Sequence, residues 1–361
     1  MKKFIVLILV IAIFAGLASC TKTPPEDVGS DIIEEPVDPP EIVEPEPEPE
    51  PEPPYTNPLT GLGTFEDLEN LRPFAVMLND KLEALPQLGI GSADIIYEVC
   101  AEGGITRLEA LFQSVQGVGE IGSVRSIRPY YIEIATGYDS IIIHAGASEE
   151  AYDNLKKWKL VHFDGVRGGR DANIFWRDEE RLKNAGYEHA LLTSGEDILE
   201  YLNSTKIRKE HEEGYEAPLK FGTESAARLG SSAPDVRVRF SKYKSTQFLY
   251  DMESLDYAVF GHDRECVDGN TSEQLRVKNL LVLNTTTKVL DSEGRLKVAV
   301  TGSGSGTYFC EGKGVEIKWS REGRNDAFLY ELVDGSELTL MPGKSYICII
   351  NPKVSTLTIE E

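Results

Sequence analysis

The sequence predicts an α+β protein, with a mixed α/β segment followed by a mostly β segment, and three observations carry that prediction. From residue 57 to 206, short apolar runs alternate with stretches of helical period. From residue 235 to 361 the apolar period changes to two, in short runs separated by turn residues. Residues 207–234 between them are polar and glycine-containing, which reads as a linker.

In the first segment, Arg72-Pro73 leads into the apolar run Phe74 to Leu78. Asp94 to Cys100 suits a buried strand, Gly103-Gly104 a turn, and Arg107 to Val115 a returning strand, so the pair predicts a hairpin. A polar loop from Gly122 to Arg128 then enters a helix over Pro129 to Thr136, with proline at its first turn. Ser140 to His144 is a further strand. Ser148 followed by Glu149-Glu150 has the chemistry of an N-cap with acids in the first turn, opening a helix to about Trp158. Ile198, Leu199 and Leu202 share one face of a helix from Gly195 to Asn203. In the second segment the strand candidates are Asp235 to Ser241, Gln247 to Tyr250, Gln274 to Asn284, Leu296 to Val300, Gly306 to Cys310, Val315 to Ser320, Ala327 to Leu332 and Ser345 to Asn351. Asp334-Gly335 marks a tight turn, no helix is expected there, and the glycine run Gly302 to Gly306 reads as a mobile turn or bulge.

Ahead of all this, Lys2-Lys3 precedes an uncharged run from Phe4 to Ser19, the pattern of an export signal. The run falls short of the roughly 20 apolar residues that a membrane-spanning helix needs. Its ending, Leu17-Ala18-Ser19-Cys20, resembles the lipobox of bacterial lipoproteins. That resemblance implies cleavage before Cys20, diacylglycerol on its thiol, and a folded part held on the outer face of the cytoplasmic membrane. Residues 20–56 are then a spacer of proline and acid, which favours extended backbone. At roughly 3 Å per residue such a spacer reaches up to about 100 Å from the membrane.

The formal net charge is −23. Acids outnumber bases in the spacer and in the remainder alike, which argues against nucleic acid as a partner, because phosphate binding needs a surplus of lysine and arginine. Cys100, Cys266, Cys310 and Cys348 are sparse for a chain of this length and lack metal-ligand spacing. They read as small buried hydrophobes, with a bridge among the last three left open; no metal and no cofactor are expected.

No G-x-S-x-G elbow, H-E-x-x-H motif or phosphate-binding loop is present. Polar residues do gather where the predicted strands of the first segment end: Glu98 and Glu102 on the hairpin, Arg107 on its partner, and Arg125, Ser126 and Arg128 in the next loop. His144 ends its strand, Ser148 follows it, and Trp176-Arg177 comes later in the chain. Open α/β sheets bind ligands beyond strand ends. Arginines beside two glutamates and an indole suit a polar, anionic or sugar-like ligand. A buried salt-bridge network joining hairpin to helix would place the same residues together. If the cluster is catalytic, Glu98 or Glu102 with His144 supplies an acid and a base.

The motifs Arg72-Pro-Phe-Ala-Val-Met77, Ala93-Asp-Ile-Ile-Tyr-Glu98, Glu102-Gly-Gly-Ile-Thr-Arg107, Gly122-Ser-Val-Arg-Ser-Ile-Arg-Pro-Tyr130 and Phe175-Trp-Arg177 occur in order. Together with Lys278-Asn279, the 302–309 stretch, Gly312-Lys313 and Trp319, they resemble the YerB-like lipoproteins of Gram-positive bacteria, the group defined by the DUF3048 domains. The order Asn79-Asp80 and the stretch His189-Ala-Leu-Leu192 depart from the usual family pattern. The resemblance implies a two-domain envelope lipoprotein, working beside cell-wall synthesis enzymes or peptidoglycan, and supplies no reaction. The leading expectation is a non-enzymatic binding or adaptor protein. A wall hydrolase or transferase using Glu102 and His144, and a solute-capturing lipoprotein, stand as the alternatives.

Overall fold

The computed structural model describes residues 51–360, so the export signal, Cys20 and most of the spacer lie outside the described residues. The strands Phe74–Asn79, Ile95–Cys100 and Thr106–Phe112 are buried on both faces, which is why they read as apolar runs without alternation. They form the middle of an eleven-stranded sheet. The 106–112 strand runs antiparallel to both of its neighbours, so the 74–79 and 95–100 strands point the same way. Beyond the 74–79 strand the parallel strands Ile141–His144 and His162–Asp164 complete that side.

The other half of the sheet comes from the second segment. Strand Ser345–Ile350 pairs in parallel with 95–100 on one side and with Asn279–Asn284 on the other. Gly302–Cys310, Lys313–Arg321 and Ser231–Ser232 follow outward, with Leu329–Leu332 also on 313–321. The mixed and the β-rich segments therefore differ in content as the sequence predicts, yet they share one sheet.

Alternating side chains build a core on each face of this sheet. On one face Met77, Tyr97, Val99 and Ile347 pack under the helices Pro129–Thr136 and Glu149–Trp158. On the other, Val76, Ile96, Ala110 and Cys348 meet the helix Gly195–Asn203 and a six-stranded sheet that carries Val236, Phe248 and Val259. The three helices have the predicted bounds; proline starts 129–136 and Ser148 caps 149–158 as expected, while Ser194, accepting from Asp197 N–H, is a further cap that the sequence reading did not name.

Three expectations are corrected. The glycine run is neither turn nor bulge but the start of the 302–310 strand. A Cβ at Gly304 would lie 2.6 Å from both the Asn284 carbonyl and the Trp319 indole nitrogen, so glycine serves close packing there. Residues 207–234 are not a free linker, because Leu219, Ala227 and Ala233 are buried in the core and Ser231–Ser232 joins the sheet. The spacer stops before Tyr55, since Tyr55–Thr56 pairs with Gly63–Thr64. All four described cysteines are free, with Cys310 and Cys348 buried and Cys100 and Cys266 half-buried. No helix among the described residues is long and apolar enough to cross a membrane.

Candidate functional site

The parallel strands 74–79, 95–100, 141–144 and 162–164 all end at one edge of the sheet, and the residues singled out in the sequence converge there. Between the diverging ends of 74–79 and 141–144 the chain inserts its own segment. Arg125 N–H donates to the Met77 carbonyl at 2.8 Å, Ala145 N–H to the Arg125 carbonyl at 3.0 Å, and Ile127 N–H to the Gly146 carbonyl at 3.0 Å. The crevice that open sheets offer to ligands is thus floored by a loop that presents Arg125, Ser126 and Arg128.

Two ion-pair groups line this rim. Glu102 accepts from Arg107 at 3.1 Å and from Arg128, while Arg107 also donates to the Ser126 carbonyl at 2.9 Å. Burial, and then the neighbouring Arg128, pull the Arg107 guanidinium down to about 10. Burial pushes the Glu102 carboxyl up, but Arg128 and Arg107 outweigh it and hold the group below its ordinary value. Next to it, Glu188 pairs with Arg125 at 2.5 Å and Lys81 at 3.1 Å. These two cations overcome partial burial and hold Glu188 at about 2. Asn79 Nδ2 lies 2.9 Å from His189 Nδ1, so the Asn79-Asp80 and His189-Ala-Leu-Leu192 stretches meet at this rim.

His144 stands apart from these pairs. Its Nδ1 lies 2.8 Å from the Gly146 carbonyl and its Nε2 3.0 Å from His162 Nδ1, so both ring nitrogens are occupied. Burial, only partly offset by Asp164, holds it down at about 4 and therefore neutral near pH 7. Asp164 in turn accepts from Gly146 N–H and the Tyr152 hydroxyl, both at 2.8 Å. The Ser148 hydroxyl is used as the helix cap. Trp176 lies on an adjoining three-stranded sheet opposite Leu192, and Arg177 stacks over the Tyr187 ring at 3.5 Å.

Glu98 is not part of the rim. Its side chain points to the opposite face of the sheet, where it accepts from Thr106, Thr246 and Tyr346 at 2.7–2.8 Å and lies 3.4 Å from Lys244. Alternation along the strand explains this: Glu98 shares parity with Ile96, whereas Arg107 shares parity with Leu111 on the other face. The acid–base pairing expected of Glu98 or Glu102 with His144 is absent, because no ion pair or hydrogen bond joins either glutamate to that imidazole. Sequence reading missed Lys81, Glu188, His162 and Asp164. Only the position of Lys81 just past a strand end was a usable signal. Among the described residues no group of His, Cys, Asp and Glu is arranged to hold a metal ion.

Two family models cover most of this fold: the N-terminal domain of the protein of unknown function DUF3048 matches residues 59–208, and its C-terminal domain matches 236–347. The chain belongs to the DUF3048 family. Among its relatives is the putative lipoprotein YerB of Bacillus subtilis (strain 168), 30% identical over 298 residues, which are 81% of this chain and 85% of the relative. The crystal structure of YerB protein from Bacillus subtilis superposes with a TM-score of 0.73 at 27% identity, covering 84% of this chain and 99% of the other. The two DUF3048 segments are thus the two halves of the shared sheet, and the rim belongs to the N-terminal one.

Proposed function

We propose that this DUF3048 protein is a lipoprotein anchored through Cys20 to the outer face of the cytoplasmic membrane, and that it works by binding an envelope partner. The anchor rests on the Leu-Ala-Ser-Cys ending and on the relative described as a putative lipoprotein. Two acyl chains give stable attachment, at about 0.8 kcal/mol per buried methylene. Cys20→Ala is expected to move the protein from the membrane fraction to the soluble one, and an unchanged distribution would refute the anchor.

The binding reading is carried by one observation: at the rim, four cations, Lys81, Arg107, Arg125 and Arg128, are paired with two carboxylates, Glu102 and Glu188. On an acidic chain this local surplus of cations suits a carboxylate or phosphate group, held bidentately by guanidinium. Peptidoglycan stem peptides, or an acidic surface of a protein that builds them, have that chemistry. Catalysis through Glu102 and His144 finds no such support, since Glu102 is held ionised by two arginines and both nitrogens of His144 are engaged. Muropeptide affinity, measured by calorimetry, is expected to fall about tenfold in Arg125→Ala, the loss of one charge-assisted contact, and to weaken with salt. Equal affinity in the variant and the parent would sink the reading. Release of a new product from purified sacculi would instead establish an enzyme.

A further inference from the structure

At the opposite edge of the sheet, where the parallel strands begin, lies a cleft of about 420 Å³. We infer that this cleft binds an uncharged, hydroxyl-rich glycan chain, at a site separate from the rim and independent of the function proposed for it. Its size falls within the range of small-molecule sites. Two aromatic rings line it, and each is fixed from one side. Arg324 lies over Trp158 at 4.6 Å, and Tyr215 stacks on His211 at 3.6 Å with the ring planes 8° apart. Such rings offer a flat apolar surface to the C–H face of a sugar, and their rigidity lowers the entropy cost of binding.

The polar lining is close to electrically balanced. Asp139 is held by Arg208 at 2.7 Å, Arg72 at 3.3 Å and His211 at 3.1 Å. Burial pushes Asp139 up, but hydrogen bonds from His211 and Arg208 and the charges of Arg72 and Arg208 dominate and hold it at about 2. The lining arginines Arg72, Arg208 and Arg324 are matched in number by Asp139, Glu212 and Glu213, so little net charge remains to select an ionic ligand, while donors and acceptors abound for hydroxyls. Ser140, which also lines the cleft, is buried and its hydroxyl has no hydrogen-bond partner among the described residues. A buried polar atom left unpaired is costly, and a ligand hydroxyl reaching this wall of the cleft would supply the missing partner.

The cleft continues past one ring. A second cleft of about 490 Å³, lined by Asp67, Asn70 and Glu210 and more acidic than the first, shares Glu212, Glu213, Gly214 and Tyr215 with it. A loop that faces two adjoining polar clefts suits a linear chain of sugars better than a single ring.

The test titrates the full lipidated chain in detergent with cellotetraose, maltotetraose and N-acetylated chitotetraose, and with a trilysine peptide as the competitor class. Saturable binding of at least one tetrasaccharide is expected, weakened about tenfold by Trp158→Ala and severalfold by Glu213→Ala, through lost ring contact and a lost acceptor. Arg125→Ala, at the other edge, leaves it unchanged. Glu213 is exposed and has no ion partner among the described residues, so its variant keeps the fold even if Trp158→Ala does not. The inference is overturned if no tetrasaccharide binds, if Glu213→Ala binds as the parent does, or if trilysine binds as tightly as the glycans.

Discussion

Lys244→Met is expected to destabilise the protein by about 3–5 kcal/mol, the cost of leaving buried charge without its partner. Lys244 is 5% exposed and lies 2.7 Å from Asp80 and 3.4 Å from Glu98. Burial disfavours its charge, but the two carboxylates reverse that and raise its pKa, so it stays an ammonium. The network also takes in Thr106, Thr246 and Tyr346, and so ties the central sheet to the six-stranded sheet packed on it. Methionine fills a similar volume without the charge, leaving two carboxylates facing each other in the interior. Chemical denaturation at pH 7 measures the loss. The triple variant Lys244→Met, Asp80→Asn, Glu98→Gln should recover most of it, because removing all the charges together spares the unpaired ones. A loss in Lys244→Met below about 1 kcal/mol would mean that solvent or a shifted side chain replaces the ammonium.

This network was invisible in the sequence for a physical reason. Its members are brought together by sheet pairing and sheet packing, across 148 residues between Glu98 and Thr246, and no local pattern encodes that. Local causes, by contrast, were legible. Proline at 129, the Ser148 cap with Glu149-Glu150, and the Ile198–Leu202 face each act within one turn of helix, and those helices appear where they were expected. The short helix Glu179–Asn184 was missed, as no described residue in it is buried to leave an apolar period.

The rim shows the same division. Strand ends located Arg107, Arg125, Arg128 and His144 on one edge, but the face to which Glu98 points depended on register against its neighbours. Glu188 arrives from a distant turn, 63 residues beyond Arg125, so neither its presence nor its neutralising effect had a sequence signal. His162 and Asp164, which occupy His144 and position its loop, lie on a strand of three residues, too short for alternation to declare itself.

The opposite sign of effect is expected at Glu109, where Glu109→Gln should stabilise the protein by up to about 3 kcal/mol at pH 7. Glu109 is fully buried between Met77 and Tyr97 on the adjacent strands, and neither carboxyl oxygen has a hydrogen-bond partner. Burial drives its pKa well above the ordinary carboxylate value, and Arg321 offsets this only in part. The Arg321 guanidinium is committed to backbone carbonyls, among them Val300 at 3.2 Å and Asp326 at 2.5 Å. The charged form of the carboxyl is therefore disfavoured in the fold relative to the unfolded chain. Below the unfolded pKa, near 4.3, both states are protonated and the group costs nothing on this account. Above it, each pH unit favours the unfolded chain by about 1.4 kcal/mol until the folded group ionises too. Glutamine is close in shape and does not titrate, so the gap between variant and parent should open from pH 4 to pH 8. Denaturation series across that range read the gap directly, and a difference independent of pH would show that Glu109 is ionised in the fold.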